Sequence, residues 1–475
     1  METLKSTKII ATLGPATSTK EKILQLAKAG ADVFRLNFSH SNYELYDKLI
    51  NYILEINEEY DFTIGILADL QGPKIRIGEV ENGGFELKDG DIVNISSKNK
   101  TSNAKNIFIS YNGLENDVKE GEFVYIDDGK IKLQVNSKDS HGKISAKVLK
   151  GGIVTARKGV NFPNTNMQLP SMTGKDLNDL KFILEKPVNW IALSFVRTAQ
   201  NIKDLKKLIK SAKHTAKIIA KIEKPEAVTN IKKILKYSDA IMVARGDLGV
   251  EIPIEELPGV QKYLIEMSIK KSKVAIVATQ MMESMIHNST PTRAEVIDVS
   301  NAVLQGADAV MLSGETAMGK YPIEVVKTMS KILSGAEKSF KPSKYRSKPE
   351  AKGATFTSDI ICFNAAKISN EVDAKAIIGL TVSGFTAFKV SSYRPTPRIY
   401  IFSKVKSILC TLNLVRGVTG FYYNKNTNTE ETHTNLTRIL KDKGLVKEGD
   451  IVVHTGSMPV FQKQRTNLIR VATVE

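Results

Sequence analysis

The sequence predicts an α/β protein: a TIM (β/α)8 barrel with an inserted all-β lid and a C-terminal α/β domain. Three observations carry this. Eight short apolar runs read as strands, helical periodicity separates all but one neighbouring pair, and a long period-two stretch interrupts the series after the third run.

The first unit sets the pattern. Lys8-Ile9-Ile10-Ala11-Thr12-Leu13 is an apolar run ended by Gly14-Pro15. Ser18-Thr19-Lys20-Glu21 then reads as a capping box, and Ile23, Leu24, Leu26 and Ala27 follow at helical spacing. Gly30 stops that helix and Asp32-Val33-Phe34-Arg35-Leu36 resumes as a strand, so the unit is βαβ and the sheet parallel. Similar strands begin near Lys8, Asp32, Thr63, Trp190, Lys217, Ala240, Val274 and Ala309. An open doubly wound sheet is the alternative, but nothing in it would stop the count at eight.

The interruption runs from about Pro73 to Leu169. It alternates polar and apolar residues, with Asp128-Gly129 as a hairpin turn between Tyr125-Ile126 and Ile131-Lys132-Leu133. The expectation is a small β-barrel delivered by strand three, acting as a lid. Past Ser339, a linker rich in charge, Pro and Ser leads to a further α/β unit with strands near Ala376–Leu380, Arg398–Phe402 and Ile451–Thr455. The expected division is barrel 1–72 and 169–340, lid 73–168 and C-terminal domain 350–475.

Composition narrows the function. With 42% hydrophobic and 25% charged residues the chain can bury a core without staples. Cys362 and Cys410 are its two cysteines, far apart and in no metal-binding spacing, which argues against disulfides, structural zinc and secretion. No signal sequence or membrane-length apolar run is visible, so a cytoplasmic protein is expected. The net charge of +17 invites a nucleic-acid reading, but the lysines are scattered over polar helix faces with no aromatic interleaving. A solvated basic surface that attracts anionic substrates is the reading taken; specific nucleic-acid binding is not expected.

TIM barrels gather reactive groups at the C-terminal ends of their strands. Strand two ends in Arg35, Asn37, Ser39 and His40, and strand three in Asp69, with Lys74 and Arg76 just beyond. Strand five ends in Lys221 and Glu223, strand six in Arg245-Gly246-Asp247, strand seven in Thr279-Gln280 and strand eight in Ser313-Gly314-Glu315-Thr316. Lys221 and Glu223 are two apart and can face one side. Glu223 and Asp247 offer hard oxygen ligands suited to Mg²⁺ (or Mn²⁺), and Lys221 beside them would add a second positive centre for a transferring phosphoryl group. A structural Lys–Glu ion pair is the alternative, weakened by the density of polar strand ends around it. No Walker loop, GxGxxG, GxSxG or HExxH motif occurs, and the six histidines do not cluster.

Several blocks resemble the pyruvate kinase family: Thr7-Lys8-Ile9-Ile10-Ala11-Thr12-Leu13-Gly14-Pro15-Ala16, Arg35-Leu36-Asn37-Phe38-Ser39-His40, and Asp69-Leu70-Gln71-Gly72-Pro73-Lys74-Ile75-Arg76. Ala220-Lys221-Ile222-Glu223, Met242-Val243-Ala244-Arg245-Gly246-Asp247, Ala278-Thr279-Gln280-Met281-Met282-Glu283, Pro291-Thr292-Arg293-Ala294-Glu295 and Met311-Leu312-Ser313-Gly314-Glu315-Thr316-Ala317 continue it in order across nearly the whole chain.

The resemblance implies phosphoryl transfer from phosphoenolpyruvate to ADP, giving pyruvate and ATP, by a homotetramer with a C-terminal regulatory domain. It implies Arg35 and Lys221 on the phosphate, Glu223 and Asp247 on the metal, and the Gly246-Asp247 backbone with Thr279 on the substrate carboxylate. Nucleotide contacts fall on Asn37, His40, Arg76 and Lys158. Lys221 becomes the transition-state stabiliser, and Thr279, through water near Ser313 and Glu315, the candidate for protonating the enolate. The family's monovalent-cation ligands match Asn37, Ser39, Asp69 and the Leu70 carbonyl. Lys74, however, stands where K⁺-requiring members carry Glu, so K⁺ is not expected to be required. A phosphorylated-metabolite effector is expected at Thr381, Ser383, Gly384 and Thr386, although the stretch Gly456–Asn467 departs from the family's Gly-rich loop. A carbon–carbon lyase acting on a pyruvate enolate is the rival chemistry, and it has no use for Arg76, Lys158 or a lid.

Overall fold

The computed structural model describes residues 5–39, 42–98, 101–139, 143–163, 165, 167–341, 348–349, 353–425, 427–457 and 465–475. Eight parallel strands close into a barrel: β1 (Lys8–Thr12), β2 (Val33–Asn37), β3 (Gly65–Asp69), β4 (Trp190–Leu193), β5 (Lys217–Ile222), β6 (Ala240–Ala244), β7 (Val274–Ala278) and β8 (Ala309–Leu312). β8 returns to β1 with Ala309 opposite Lys8. Helices cover the outside, so the middle of each strand is apolar and buried on both faces, with charged and polar residues gathered toward the strand ends.

β3 starts at Gly65 rather than near Thr63. The Asn57 side chain takes both backbone groups of Ile64, accepting from its N–H at 2.8 Å and donating to its carbonyl at 3.0 Å, so the ladder cannot begin earlier. Gly65 is needed for close approach: a Cβ there would lie 2.7 Å from the Cys410 carbonyl oxygen of the C-terminal domain.

The inserted segment is a six-stranded sheet in the spatial order Val160–Asn161, Phe123–Ile126, Ile131–Lys138, Ile144–Lys150, Ile92–Ser96, Asn106–Phe108. Two short two-stranded ladders accompany it, and one helical turn, Leu114–Asp117, interrupts it. The outer strands, only two and three residues long, do not pair with each other, but the segment 75–78 joins them. Ile77 donates to the Lys158 carbonyl at 2.8 Å and Val160 to that of Ile75 at 3.0 Å on one edge, and Gly78 donates to the Phe108 carbonyl at 3.2 Å and Ser110 to that of Arg76 at 2.9 Å on the other. The hairpin at Asp128-Gly129 is present, with Asp127, Asp128 and Gly129 all at positive φ and Ile126 opposite Ile131.

The C-terminal sheet contains β9 (Ala376–Leu380), β10 (Arg398–Ser403), β11 (Val418–Tyr422), β12 (Ile451–Gly456) and β13 (Leu468–Thr473), ordered β11-β10-β9-β12-β13 with the last antiparallel. β11 and β13 are not among the strands the sequence suggested; Gly420 interrupts the apolar pattern of β11. Residues 342–347 of the expected linker lie outside the described residues.

This domain packs against the N-terminal end of the barrel. Trp190, at the start of β4, donates its indole N–H to the Thr411 carbonyl at 3.1 Å, and Arg394 meets Asp308, just before β8, at 2.8 Å. Barrel residues Ile10, Met242 and Ile276 share one apolar cluster with Ile377, Ile399 and Leu412. One end of the barrel is therefore closed, and the C-terminal strand ends face the lid. Among the described residues no helix is long and apolar enough to cross a membrane.

Candidate active site

Four strand ends converge on one buried carboxylate. Asp69, at the end of β3, accepts from Arg35 Nε of β2 at 2.7 Å and lies 3.4 Å from Lys221 Nζ of β5. Arg35 also donates to Thr12 Oγ1 of β1 at 3.1 Å. Lys221 donates to Ser194 Oγ at 2.7 Å, and Ser194 in turn donates to the Leu70 carbonyl at 2.7 Å. Lys221 and Glu223, two residues apart, face one another with Nζ 3.0 Å from Oε1. Strand alternation makes that pair, and the barrel makes the rest.

Burial alone would push Asp69 up and Lys221 down. Lys221 and Arg35 instead hold the Asp69 carboxyl below its usual range, while Asp69 and Glu223 push the Lys221 ammonium up. Lys221 stays charged out of water. Glu223 behaves differently: burial, with repulsion from Asp247 and against the pull of Lys221, pushes its carboxyl above the ordinary value. Its Oε2 accepts from the Phe195 N–H at 2.6 Å, while Oε1 is buried and makes no aligned hydrogen bond beyond its ion pair with Lys221 at 3.0 Å.

That oxygen, with a single ion-pair contact, is the test of fit for a divalent cation. Glu223 and Asp247 line one cavity of about 190 Å³ and present hard oxygens, while a carboxylate resisting its charge is eased by an added cation. Among the described residues no three His, Cys, Asp or Glu side chains group together, so the protein supplies a partial ligand set. Partial sets suit an ion that keeps waters and takes substrate oxygens.

β6 and β7 bring the remaining groups. Thr279 and Gln280 follow β7 at φ 71° and 51°, a left-handed conformation that costs a Thr about 1–3 kcal/mol. The surroundings hold it there. Thr279 Oγ1 accepts from the Gly246 N–H at 2.7 Å and donates to the Ala278 carbonyl at 2.6 Å. Arg245, anchored on Asp298 at 2.7 Å, donates to the Thr279 carbonyl at 2.7 Å.

The cavity brings together Arg35, Asn37, Ser39, Asp69, Leu70 and Lys74 from one side, and Lys221, Glu223, Asp247, Thr279 and Ser313 from the other. Gly246 lies behind Thr279 with its N–H already engaged. Glu315 is not among the lining residues. Its oxygens accept from the backbone N–H groups of Ser313 (2.7 Å) and Met282 (3.2 Å), and burial pushes its carboxyl up; it braces the β7 and β8 loops against each other. Arg76 and Lys158 also lie outside the cavity lining, on the lid, where Arg76 donates to the Arg157 carbonyl at 2.9 Å and Lys158 pairs with Asp127 at 3.0 Å. His40 lies outside the described residues.

In the C-terminal domain, the Thr381–Thr386 turn precedes the Phe385–Ser392 helix. Gly384 sits at φ 83° with its N–H donating to Thr381 Oγ1 at 2.9 Å, Ser383 Oγ lies 3.5 Å from the Phe385 N–H, and the Thr386 hydroxyl is bonded to that of Thr466 at 2.8 Å.

The sequence points to Arg245 as a strand-end group without its contact to Thr279, and the reading above misses Thr12 and Ser194 as functional neighbours. A signal existed for these two: Ser194 follows β4 and Thr12 ends β1, so the strand-end rule applied to strands one and four finds them. The grip of Arg245 on Thr279 has no local signature.

The family description "Pyruvate kinase, barrel domain" matches residues 4–326, and "Pyruvate kinase, alpha/beta domain" matches residues 359–472. A pyruvate kinase of Geobacillus stearothermophilus is 41% identical over 99% of this chain and 80% of its own length. The chain belongs to the pyruvate kinase family. A pyruvate kinase of Corynebacterium glutamicum is 38% identical over 98% of this chain and 97% of its own. The crystal structure of a pyruvate kinase from Cryptosporidium parvum superposes with a TM-score of 0.93 at 34% identity, covering 99% of this chain and 96% of that one. The chain's activity is phosphoryl transfer from phosphoenolpyruvate to ADP, giving pyruvate and ATP as the last step of glycolysis, in a family that uses a divalent metal.

Proposed function

We propose that the cavity performs this transfer with Arg35 and Lys221 on the phosphoryl group and with Glu223 and Asp247 holding Mg²⁺ (or Mn²⁺). The observation that carries the reading is the shared carboxylate. Asp69 holds the Arg35 guanidinium and the Lys221 ammonium together beside a Glu223 oxygen whose one close contact is Lys221. Cations fixed before substrate arrives stabilise developing charge without reorganising at the moment of reaction. The bound metal would supply positive charge to the oxygens of the transferring group.

Lys221 is the stabiliser of the transferring phosphoryl group in this reading, and Arg35 orients it. Gly246, Asp247 and Thr279 form the seat of the substrate carboxylate, for which the Thr279 hydroxyl would exchange its bond to Ala278. Protonation of the enolate falls to Thr279 through water near Ser313, with Glu315 holding that loop. Asn37, His40, Arg76 and Lys158 take the nucleotide, the last two arriving with the lid. Lys74 stands in for K⁺ in the pocket of Asn37, Ser39, Asp69 and Leu70, so K⁺ is not required.

The proposal extends to the domain division 1–72 with 169–340, 73–168 and 350–475, and to a cytoplasmic location. It extends to a homotetramer, supported by the exposed apolar side chains Ile254, Ile297 and Met318 in the segments after β6, β7 and β8. Thr381, Ser383, Gly384 and Thr386 are the proposed effector-phosphate turn.

Steady-state kinetics with phosphoenolpyruvate, ADP and Mg²⁺, with and without K⁺ and a panel of phosphorylated metabolites, tests the reading. Pyruvate formation that ignores ADP, or aldol cleavage instead, would overturn it; a panel that leaves apparent substrate affinity unmoved would remove the effector turn.

A further inference from the structure

Outside the cavity, one carboxylate joins the lid to the metal-binding strand ends. Glu251 is the last residue of the Arg245–Glu251 helix, one turn beyond Asp247, so both carboxylates lie along the same helix face. Its side chain is 1% exposed. Oε1 accepts from Lys224 Nζ at 2.6 Å and from Asn161 Nδ2 at 2.7 Å, while Oε2 is buried with no hydrogen-bond partner. Lys224 directly follows Glu223. Asn161 belongs to the lid strand Val160–Asn161, next to Gly159, which bridges to Arg76, and three residues after Lys158. A single oxygen thus touches the Glu223 loop, the Asp247 helix and the lid strand beside both candidate nucleotide-phosphate residues.

A buried carboxylate here is a poor way to gain stability alone. Desolvation offsets most of the attraction to Lys224, and an apolar residue could fill the space. What a shared, charge-assisted acceptor does add is a fixed register: Asn161 can reach Glu251 in one lid pose only, and losing a donor to a buried charge is strongly penalised.

We infer that Glu251 is a positioning residue: through Asn161 it latches the lid strand that follows Lys158 to the Asp247 helix, fixing the base of the lid from which Arg76 and Lys158 would reach a bound nucleotide. The inference rests on the proposed lid contribution to nucleotide binding. The latch acts on the nucleotide step, because phosphoenolpyruvate is held by barrel residues that Asn161 does not touch.

Asn161→Ala removes only the lid's half of the latch. It is expected to raise KM for ADP about tenfold, with the dissociation constant of phosphoenolpyruvate, measured by calorimetry with Mg²⁺, within twofold of wild type. In a Glu251→Ala background the same change should add less than twofold. Asn161→Ser, whose hydroxyl is too short to span the contact, serves if Asn161→Ala does not fold. An unchanged KM for ADP, or equal losses toward both substrates, overturns the latch. Lys158→Ala measured alongside separates the two ideas. An effect there with none from Asn161→Ala overturns the latch alone, and no effect from either overturns the latch and the lid reading together. An effect from Asn161→Ala alone keeps the latch and removes Lys158 from the nucleotide site.

Discussion

Lys74 Nζ lies 3.3 Å from Asp247 Oδ1, across the mouth of the cavity that holds Arg35, Asp69, Lys221 and Glu223. The ammonium is about a third exposed and reaches the site, and in the proposed reading it takes the part of a monovalent cation. Activity is therefore expected to be similar in Na⁺, K⁺ or a bulky organic cation. Lys74→Glu changes the local charge by two units and should create K⁺ dependence. A wild-type rate that collapses without K⁺ would refute this.

Lys221→Ala should leave the fold intact by circular dichroism but lower kcat by at least 10²–10³-fold, the scale at which one preorganised donor counts. Its ammonium is held by Asp69, Glu223 and Ser194 together, so it is in place before substrate arrives. Retention of more than about a tenth of wild-type kcat would sink the role.

Thr279 is held left-handed by Arg245, whose guanidinium reaches both the Thr279 carbonyl and Asp298. Arg245→Met keeps the apolar stem and gives up those bonds, so the Thr279 hydroxyl should drift. A displacement of about 1 Å at a reacting group can cost 10²-fold in rate, and a kcat loss of that order is expected. A rate within threefold of wild type would show that the turn holds itself.

A stability prediction concerns His454, buried in the C-terminal domain. Its ring packs edge-on to that of His433 at 4.5 Å, and its Nδ1 lacks a partner. Burial, helped by His433 and Arg470, pushes the imidazole down to about 3. The unfolded chain therefore binds a proton that the folded one refuses as pH falls below about 6.5. The stabilising contribution is complete above that pH and is lost progressively as pH drops toward the folded value. Between pH 7 and 5 the stability of wild type relative to His454→Gln should fall by about 2 kcal/mol. Urea titrations of both proteins at the two pH values measure it, and an equal difference at each would contradict it.

Much of this molecule is local information. Eight apolar runs, Gly and Pro punctuation and helical periodicity suffice for the barrel, since each feature depends on residues a few positions apart. The strand-end rule then finds Arg35, Asp69, Lys221, Glu223, Asp247, Thr279 and Ser313, because the end of a barrel strand is legible from its own sequence. Alternation alone puts Lys221 opposite Glu223.

Contacts between distant segments were decided only by the tertiary structure. Asp69 lies between Arg35 and Lys221, 34 and 152 positions away, because β2, β3 and β5 curve around one axis. Glu315 looks reactive beside Ser313, yet both its oxygens are taken by backbone N–H groups of two loops. The lid's alternation is real, but its outer strands are joined by the segment 75–78, which bridges Gly159 on one edge and Ile109 on the other. The Lys74–Asp247 and Asn161–Glu251 pairs span 173 and 90 positions. Periodicity reports which face of an element is apolar. It is silent on which distant polar groups meet, because burial is not directional, whereas hydrogen bonds and ion pairs require positions that only the closed barrel and the docked lid define.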